Sequence, residues 1–272
     1  MKIIRITVLA LFVLSLVFFG YAKIAEYRRT DSTLPTISGP KEPLKISTKY
    51  TDEDLLQGLT AYDEKDGDLT DEIMISNFSR LLEKGKCKVN YIVFDSSNQP
   101  ATFSREVIFT DYRSPRIYLS KPLVFEKNSN ENIYSYIGAS DILDGDISSL
   151  VRVIETNVNS LQAGRYSVRV EVTNSFGDTT QITLPVHILE LIDSKVEIAL
   201  TQNVVHVKKG NTFDPAKYIK GVANVDGTVL DKKLVKINAA VDTNKPGVYE
   251  VIYTAEQNPT SKGLVSLTVV VE

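Results

Sequence analysis

Tryptophan is absent from this 272-residue chain, cysteine occurs once, at Cys87, and histidine twice, at His187 and His206. Each shortage closes a route. One thiol cannot form an intramolecular disulfide, so a folded body must be held by its hydrophobic cores alone. With no second cysteine, no His-Glu-x-x-His and no Gly-x-Ser-x-Gly, nothing frames a zinc site or a nucleophile–base pair. The missing tryptophan removes the largest aromatic face for stacking on sugars, although thirteen tyrosines remain. A basic surplus is lacking as well. Residues 1–29 hold five basic side chains (Lys2, Arg5, Lys23, Arg28, Arg29) and one acid, Glu26; removing them from the totals of 31 and 34 leaves 26 basic against 33 acidic residues. A mildly acidic body does not suit a phosphate backbone, which demands a lysine and arginine face, so nucleic acid is excluded as a partner.

What is present begins with an apolar run. Residues 6–22 carry no charge, and at 1.5 Å per residue a helix over them covers about 25 Å, the short end of a bilayer core. Lys2 and Arg5 precede it, as expected for an N-terminus kept in the cytoplasm. Gly20-Tyr21-Ala22 offers a small-x-small cleavage site, but Phe18-Phe19 stand where a signal peptide has a polar region, which favours an uncleaved signal-anchor. No cysteine follows the run, so a lipoprotein anchor is excluded. Residues 26–43, with Leu34-Pro35 and Gly39-Pro40, read as a spacer to the first domain.

The body repeats itself. An Asp-Gly turn recurs at Asp66-Gly67, Asp144-Gly145 and Asp226-Gly227, spaced by 78 and 82 residues; a glycine two residues before an aromatic or its substitute recurs at Gly85/Cys87, Gly164/Tyr166 and Gly247/Tyr249, spaced by 79 and 83. After each such glycine the apolar positions alternate: Cys87, Val89, Tyr91, Val93; Tyr166, Val168, Val170, Val172; Tyr249, Val251, Tyr253, Ala255. Period 2 with one polar face is the pattern of an antiparallel sandwich sheet. Partner strands follow at 103–109, 182–188 and 265–271, with Pro185 on the outward set of the second, implying an edge or strand end. Helices are confined to short candidates at Asp52–Leu56 and 215–219, the latter capped by Asp214. About 80 residues per unit, strand-rich and helix-poor, predicts an all-β chain: three tandem Ig-like Greek-key β-sandwiches preceded by an N-terminal transmembrane helix. The expected divisions are 1–29 for the anchor and its flank, then 30–112, 113–192 and 193–272, with short linkers near 111–115 and 190–195. Linkers that short predict a semi-rigid rod, which would reach roughly 110 Å if each sandwich is about 35–40 Å long.

The segments Asp66-Gly67-Asp68, Gly85-Lys86-Cys87 and Asp95-Ser96-Ser97-Asn98, with Lys245-Pro246-Gly247-Val248-Tyr249 in the third unit, resemble the bacterial surface Ig-like repeat family. The resemblance covers most of residues 34–272. It implies a cell-surface role as spacer or adhesive module, with no catalytic residues to carry over. Cys87 stands where that pattern has tyrosine, and Asn174 and Gln257 where aspartate is usual.

Acidic clusters are the sharpest chemical candidates. Asp63, Asp66, Asp68 and Asp95 could converge on Ca²⁺, as could Asp141, Asp144 and Asp146, whereas the third unit keeps only Asp226. The alternative is that these aspartates shape turns by bonding their own backbone. His187 shares the outward side with Pro185 and reads as solvated or at an edge; Cys87 falls inward and reads as a small core residue. Asn77-Phe78-Ser79 is a glycosylation triplet of a kind common by chance. No catalytic, cofactor or metal residue is assigned, and an enzyme is not expected. The expected function is a membrane-anchored surface protein, held through residues 6–22, whose exported domains form a stalk, adhesive or protein-interaction ectodomain. A carbohydrate- or envelope-polymer-binding module, or a subunit of a surface assembly joined by strand addition, are the alternatives.

Overall fold

The computed structural model describes residues 2–29 and 33–272; the expected start of the first domain, 30–32, lies outside the described residues. The chain is all-β apart from one long helix and short turns, and it divides into two compact units, Met1–Thr110 and Asp111–Glu272.

The helix runs over Lys2–Arg29. Its span Ile6–Ile24 has a mean hydropathy of 2.1 and no residue buried against the rest of the chain. Those 19 residues cover about 28 Å, long and apolar enough to cross a membrane. The spacer reading of 26–43 is corrected. The helix itself continues to Arg29, and Thr36–Ser38 is already a strand, paired antiparallel with Thr60–Asp63.

Six sheets follow in three successive facing pairs. In the first, a four-stranded sheet orders Leu44–Ile46, Pro100–Phe109, Lys86–Phe94 and Met74–Phe78, opposite Thr36–Ser38, Thr60–Asp63 and Gly67–Asp68. In the second, Val124–Glu126, Thr179–Leu189, Gly164–Thr173 and Arg152–Thr156 oppose Arg116–Leu119, Ile137–Asp141 and Gly145–Asp146. In the third, Val204–Val207, Ser261–Val271, Gly247–Asn258 and Val235–Ala239 oppose Val196–Leu200 and Ile219–Asn224.

One topological device recurs. The first stretch of each pair belongs to the small sheet, breaks near a proline or polar residues (Pro40 and Pro43, Pro122, Asn203), and crosses to run parallel with the last strand. Proline lacks the N–H a ladder needs, so it sits where a strand stops and changes sheet. Pro185 instead lies inside the strand Thr179–Leu189, paired with Ser167. It lies two residues before Val124–Glu126 joins its strand at His187, on a stretch still open on that side.

The alternating residues pack as their spacing predicts. Cys87, Val89, Tyr91 and Val93 are fully buried, as are Val168, Val170, Val251 and Tyr253. Asp111–Glu272 holds two separate cores, one from Ile117 to Ile188 and one from Val196 to Val271, each fed by both of its sheets. The short helical candidates also form. Thr51 and Asp54 close a capping box on Asp52–Leu56, and Asp214 Oδ1 accepts from the Ala216 amide ahead of the 3₁₀ turn Pro215–Tyr218. Tyr91 donates its hydroxyl to Leu55 O at 2.8 Å and Tyr253 to Pro215 O at 2.8 Å, tying each short helix to its core strand.

Candidate functional site

The Asp-Gly landmarks form tight turns. Gly67, Gly145 and Gly227 adopt φ of 81°, 75° and 86°, where a side chain is strained, which accounts for glycine at each. Around the first of them, Asp63 ends its strand almost wholly buried, and its Oδ1 accepts from the amides of Lys65 (2.8 Å) and Asp66 (3.0 Å). Asp66 reaches across to the next loop and accepts from the Ser96 amide and hydroxyl, each at 2.8 Å. Asp68 accepts from the Thr70 amide at 2.9 Å, and the Thr70 side chain and backbone hold its carboxyl below the ordinary range. Asp95 Oδ1 takes the Ser97 and Gln99 amides at 2.8 and 2.7 Å, and its Oδ2 takes the Gln99 side-chain amide at 2.9 Å.

The second pair repeats this network at three of its four acids. Asp141 Oδ1 accepts from the Leu143 and Asp144 amides, Asp144 from the amide and hydroxyl of Ser175, and Asp146 from Ser148. In the third, Ala223 stands where Asp63 and Asp141 do, and Asp226 accepts from the Thr228 amide at 2.8 Å. Thus the carboxylates considered for calcium act as acceptors for backbone and hydroxyl donors of the turns. Among the described residues no group of three or more His, Cys, Asp or Glu is placed to hold a metal ion.

One difference separates the first two networks. Asn174, the counterpart of Asp95, donates its Nδ2 to Asp141 Oδ2 at 3.2 Å and to the Tyr112 hydroxyl at 3.1 Å, and Tyr112 in turn donates to Asp178 at 2.7 Å. Asp95 has no such donor to offer. Asp63 Oδ2 is buried and finds no hydrogen-bond partner.

His187 requires correction. It is not a solvated edge histidine: its side chain is 6% exposed, and Nε2 lies 2.6 Å from Glu250 Oε1, where the second pair meets the third. Glu250 also pairs with Arg165 at 2.7 Å. His206 faces Glu272 through Nδ1 at 3.4 Å, and Glu272 is paired with Arg116 as well. Sequence reasoning missed both clusters, because their members stand far apart in the chain and on separate repeats. The only local signal was a histidine on an outward strand position. Cys87 is the core residue expected, a free thiol pushed up to about 11 by burial.

Beside the first cluster lies an open groove of about 560 Å³, lined by Arg165, Tyr166, Pro185, Tyr249 and Glu250 among others. The hydroxyls of Tyr166 and Tyr249 are engaged with the backbone carbonyls of Gln162 and Lys245. Phe125 stacks on Tyr136 and Phe213 on Tyr218, each with ring centroids 5.7 Å apart, so these rings pair within the protein.

The family model described as bacterial surface protein, Ig-like domain, matches residues 199–271. The matched residues are those of the third sheet pair. Its Asp226-Gly227 turn recurs in both sheet pairs before it, and its Gly247-x-Tyr249 in the second, with Cys87 replacing the tyrosine in the first. The pesticidal crystal protein Cry22Aa of Bacillus thuringiensis is 32% identical over 222 residues, covering 78% of this chain and 29% of its own. An uncharacterized 81.3 kDa protein of Acholeplasma phage L2 is 26% identical over 172 residues, covering 62% of this chain and 22% of its own. The chain spans less than a third of either relative's length. Among solved structures, a Clostridium perfringens ZmpB fragment with the M60 catalytic domain and the CBM51-1 and CBM51-2 domains aligns over 89% of this chain and 31% of its own, at 14% identity and a TM-score of 0.24. The protocadherin gamma B4 extracellular domain aligns over 89% of this chain and 50% of its own, at 15% identity and a TM-score of 0.21. Superpositions that loose carry no argument about function.

Proposed function

We propose that this chain is a non-catalytic surface protein, fixed in a membrane by the Ile6–Ile24 span, with three Ig-like domains divided near residues 112 and 192 outside the cell as a stalk or protein-interaction ectodomain. The observation that carries the reading is the surface-family match of residues 199–271 on a chain that also bears an apolar helix of membrane-crossing length. Its non-catalytic part draws on the state of the titratable groups. The turn aspartates accept from backbone amides, and the two histidines face glutamates, so these groups are engaged in structure.

Expression of the full chain in a Gram-positive host tests the placement. The expected result is a chain that stays with membranes through a carbonate wash and loses its body to protease added outside intact cells. Recovery in the soluble cytosol would overturn the whole reading. Release into the medium after cleavage behind Ala22 would overturn the anchor and keep the export. Incubating the protease-released body with purified envelope polymer and with surface-protein extract then separates the two partner classes: retention on polymer alone would overturn the protein-interaction reading.

A further inference from the structure

The junction between the second and third sheet pairs is built unlike an ordinary linker. On the Gly247–Asn258 strand, Tyr249, Val251 and Tyr253 face their own core, so Glu250 points outward. An outward glutamate is normally solvated, yet this side chain is only 8% exposed, covered by Arg165 and His187 of the preceding pair. A second, more open cluster also crosses the junction, around a Glu272 side chain that is 43% exposed. Glu272 takes Arg116 from the second pair and His206 from the third. Asn203 Nδ2 donates to Leu119 O at 3.2 Å. Apolar contacts cross as well, with Val204 and Val270 packing on the second core and Val124 on the third.

We propose that these two carboxylate-centred clusters, Arg165–Glu250–His187 and Arg116–Glu272–His206, clamp the second and third sheet pairs into one rigid body, and that acid releases the clamp. A buried carboxylate is tolerable only while it is paired. The charged groups facing Glu250 are Arg165 and His187; those facing Glu272 are Arg116 and His206. Burial pushes the Glu250 carboxyl up, but the His187 hydrogen bond, its charge and Arg165 outweigh it and hold the group below the usual range. A carboxyl lowered by folding contributes its full stabilisation above the unfolded value of about 4.3 and loses it as pH falls through the lower folded value. His206 is lowered too, by burial first and then by Arg116, against the pull of Glu272. Folding therefore favours its neutral form, and that contribution fades as pH drops from about 6.5 through its lower folded value. Both clusters weaken in the same direction. The inference stands apart from the membrane reading, since it concerns only Asp111–Glu272.

Pulsed electron resonance on the full chain in detergent micelles tests it, with spin labels at exposed Arg152 and Lys236 and the buried Cys87 left in place. The expected result at neutral pH is one narrow distance distribution, broadened at least twofold once the pH is taken well below 4, while far-UV circular dichroism keeps its sheet signal. Glu250→Gln combined with Glu272→Gln removes both charges and is expected to broaden the distribution at neutral pH. Glu250→Ala, which removes the acceptor for both His187 and Arg165, checks the same cluster in a second way. A broad distribution in the parent chain at neutral pH would overturn the clamp. So would narrow distributions in both variants, since apolar contact alone would then hold the pair.

Discussion

Replacing Asp95 by asparagine gives the first sheet pair the amide that the second already has at Asn174. In the parent chain Asp63 Oδ2 is buried without a donor, whereas Asp141 Oδ2 receives Asn174 Nδ2 at 3.2 Å. A buried acceptor left unpaired costs about 1–3 kcal/mol. In Asp95→Asn the side-chain oxygen keeps the Ser97 and Gln99 amides, and the new Nδ2 takes the position from which Asn174 Nδ2 reaches Asp141 in the second pair. The loss is the contact from Gln99 Nε2 to Asp95 Oδ2, and that amide still donates to Thr33 O at 2.8 Å. The balance is a gain of about 1 kcal/mol, or about 4–8 °C in the melting of a domain of this size. Scanning calorimetry of the full chain in detergent reads the shift, and hydrogen exchange on the Lys86–Phe94 strand assigns it to Met1–Thr110. An unchanged or lowered melting temperature would refute the reasoning. A calcium-dependent rise in the parent chain that Asp95→Asn abolishes would also refute it, because a cation rather than a missing donor would then define the site.

The reciprocal change, Asn174→Asp, strips Asp141 Oδ2 of its donor and is expected to cost about 1–3 kcal/mol in denaturant unfolding of Asp111–Glu272. Tyr253→Phe leaves Pro215 O without its 2.8 Å donor and should cost about 1–3 kcal/mol, read as a lower urea midpoint at constant slope. Leu184→Ala, at a fully buried position of the second core, should cost about 2–5 kcal/mol in the same assay. Cys87, with its thiol pushed up to about 11, should resist iodoacetamide at pH 8 in the folded chain and react once urea unfolds it.

The core was legible because its code is local. Period-2 runs such as Tyr166, Val168, Val170 and Val172 state which face turns inward, and Asp-Gly states where a turn with positive φ falls. Asp214 and Pro215 announced their 3₁₀ turn for the same reason. The residues 26–43 were misread because Thr36–Ser38 is only three residues long, too short to show alternation, and gains its order from pairing with Thr60–Asp63. The junction clusters were invisible for a different reason. Burial of His187 and Glu250 comes from a neighbouring sheet pair, and nothing in the flanking sequence encodes that neighbour. The turn networks sat between these extremes: the acids were visible, but their purpose depended on donors such as Ser96 and Ser175 about 30 residues away.

The parallel seam between the first and last strands of each sheet pair has a mechanical consequence. Val204–Val207 runs alongside Thr268–Val271 over four residue pairs, and Leu44–Ile46 alongside Val107–Phe109 over three. Tension applied at the two ends of such a pair pulls these strands past each other lengthwise. Their hydrogen bonds must then fail together instead of peeling open one at a time.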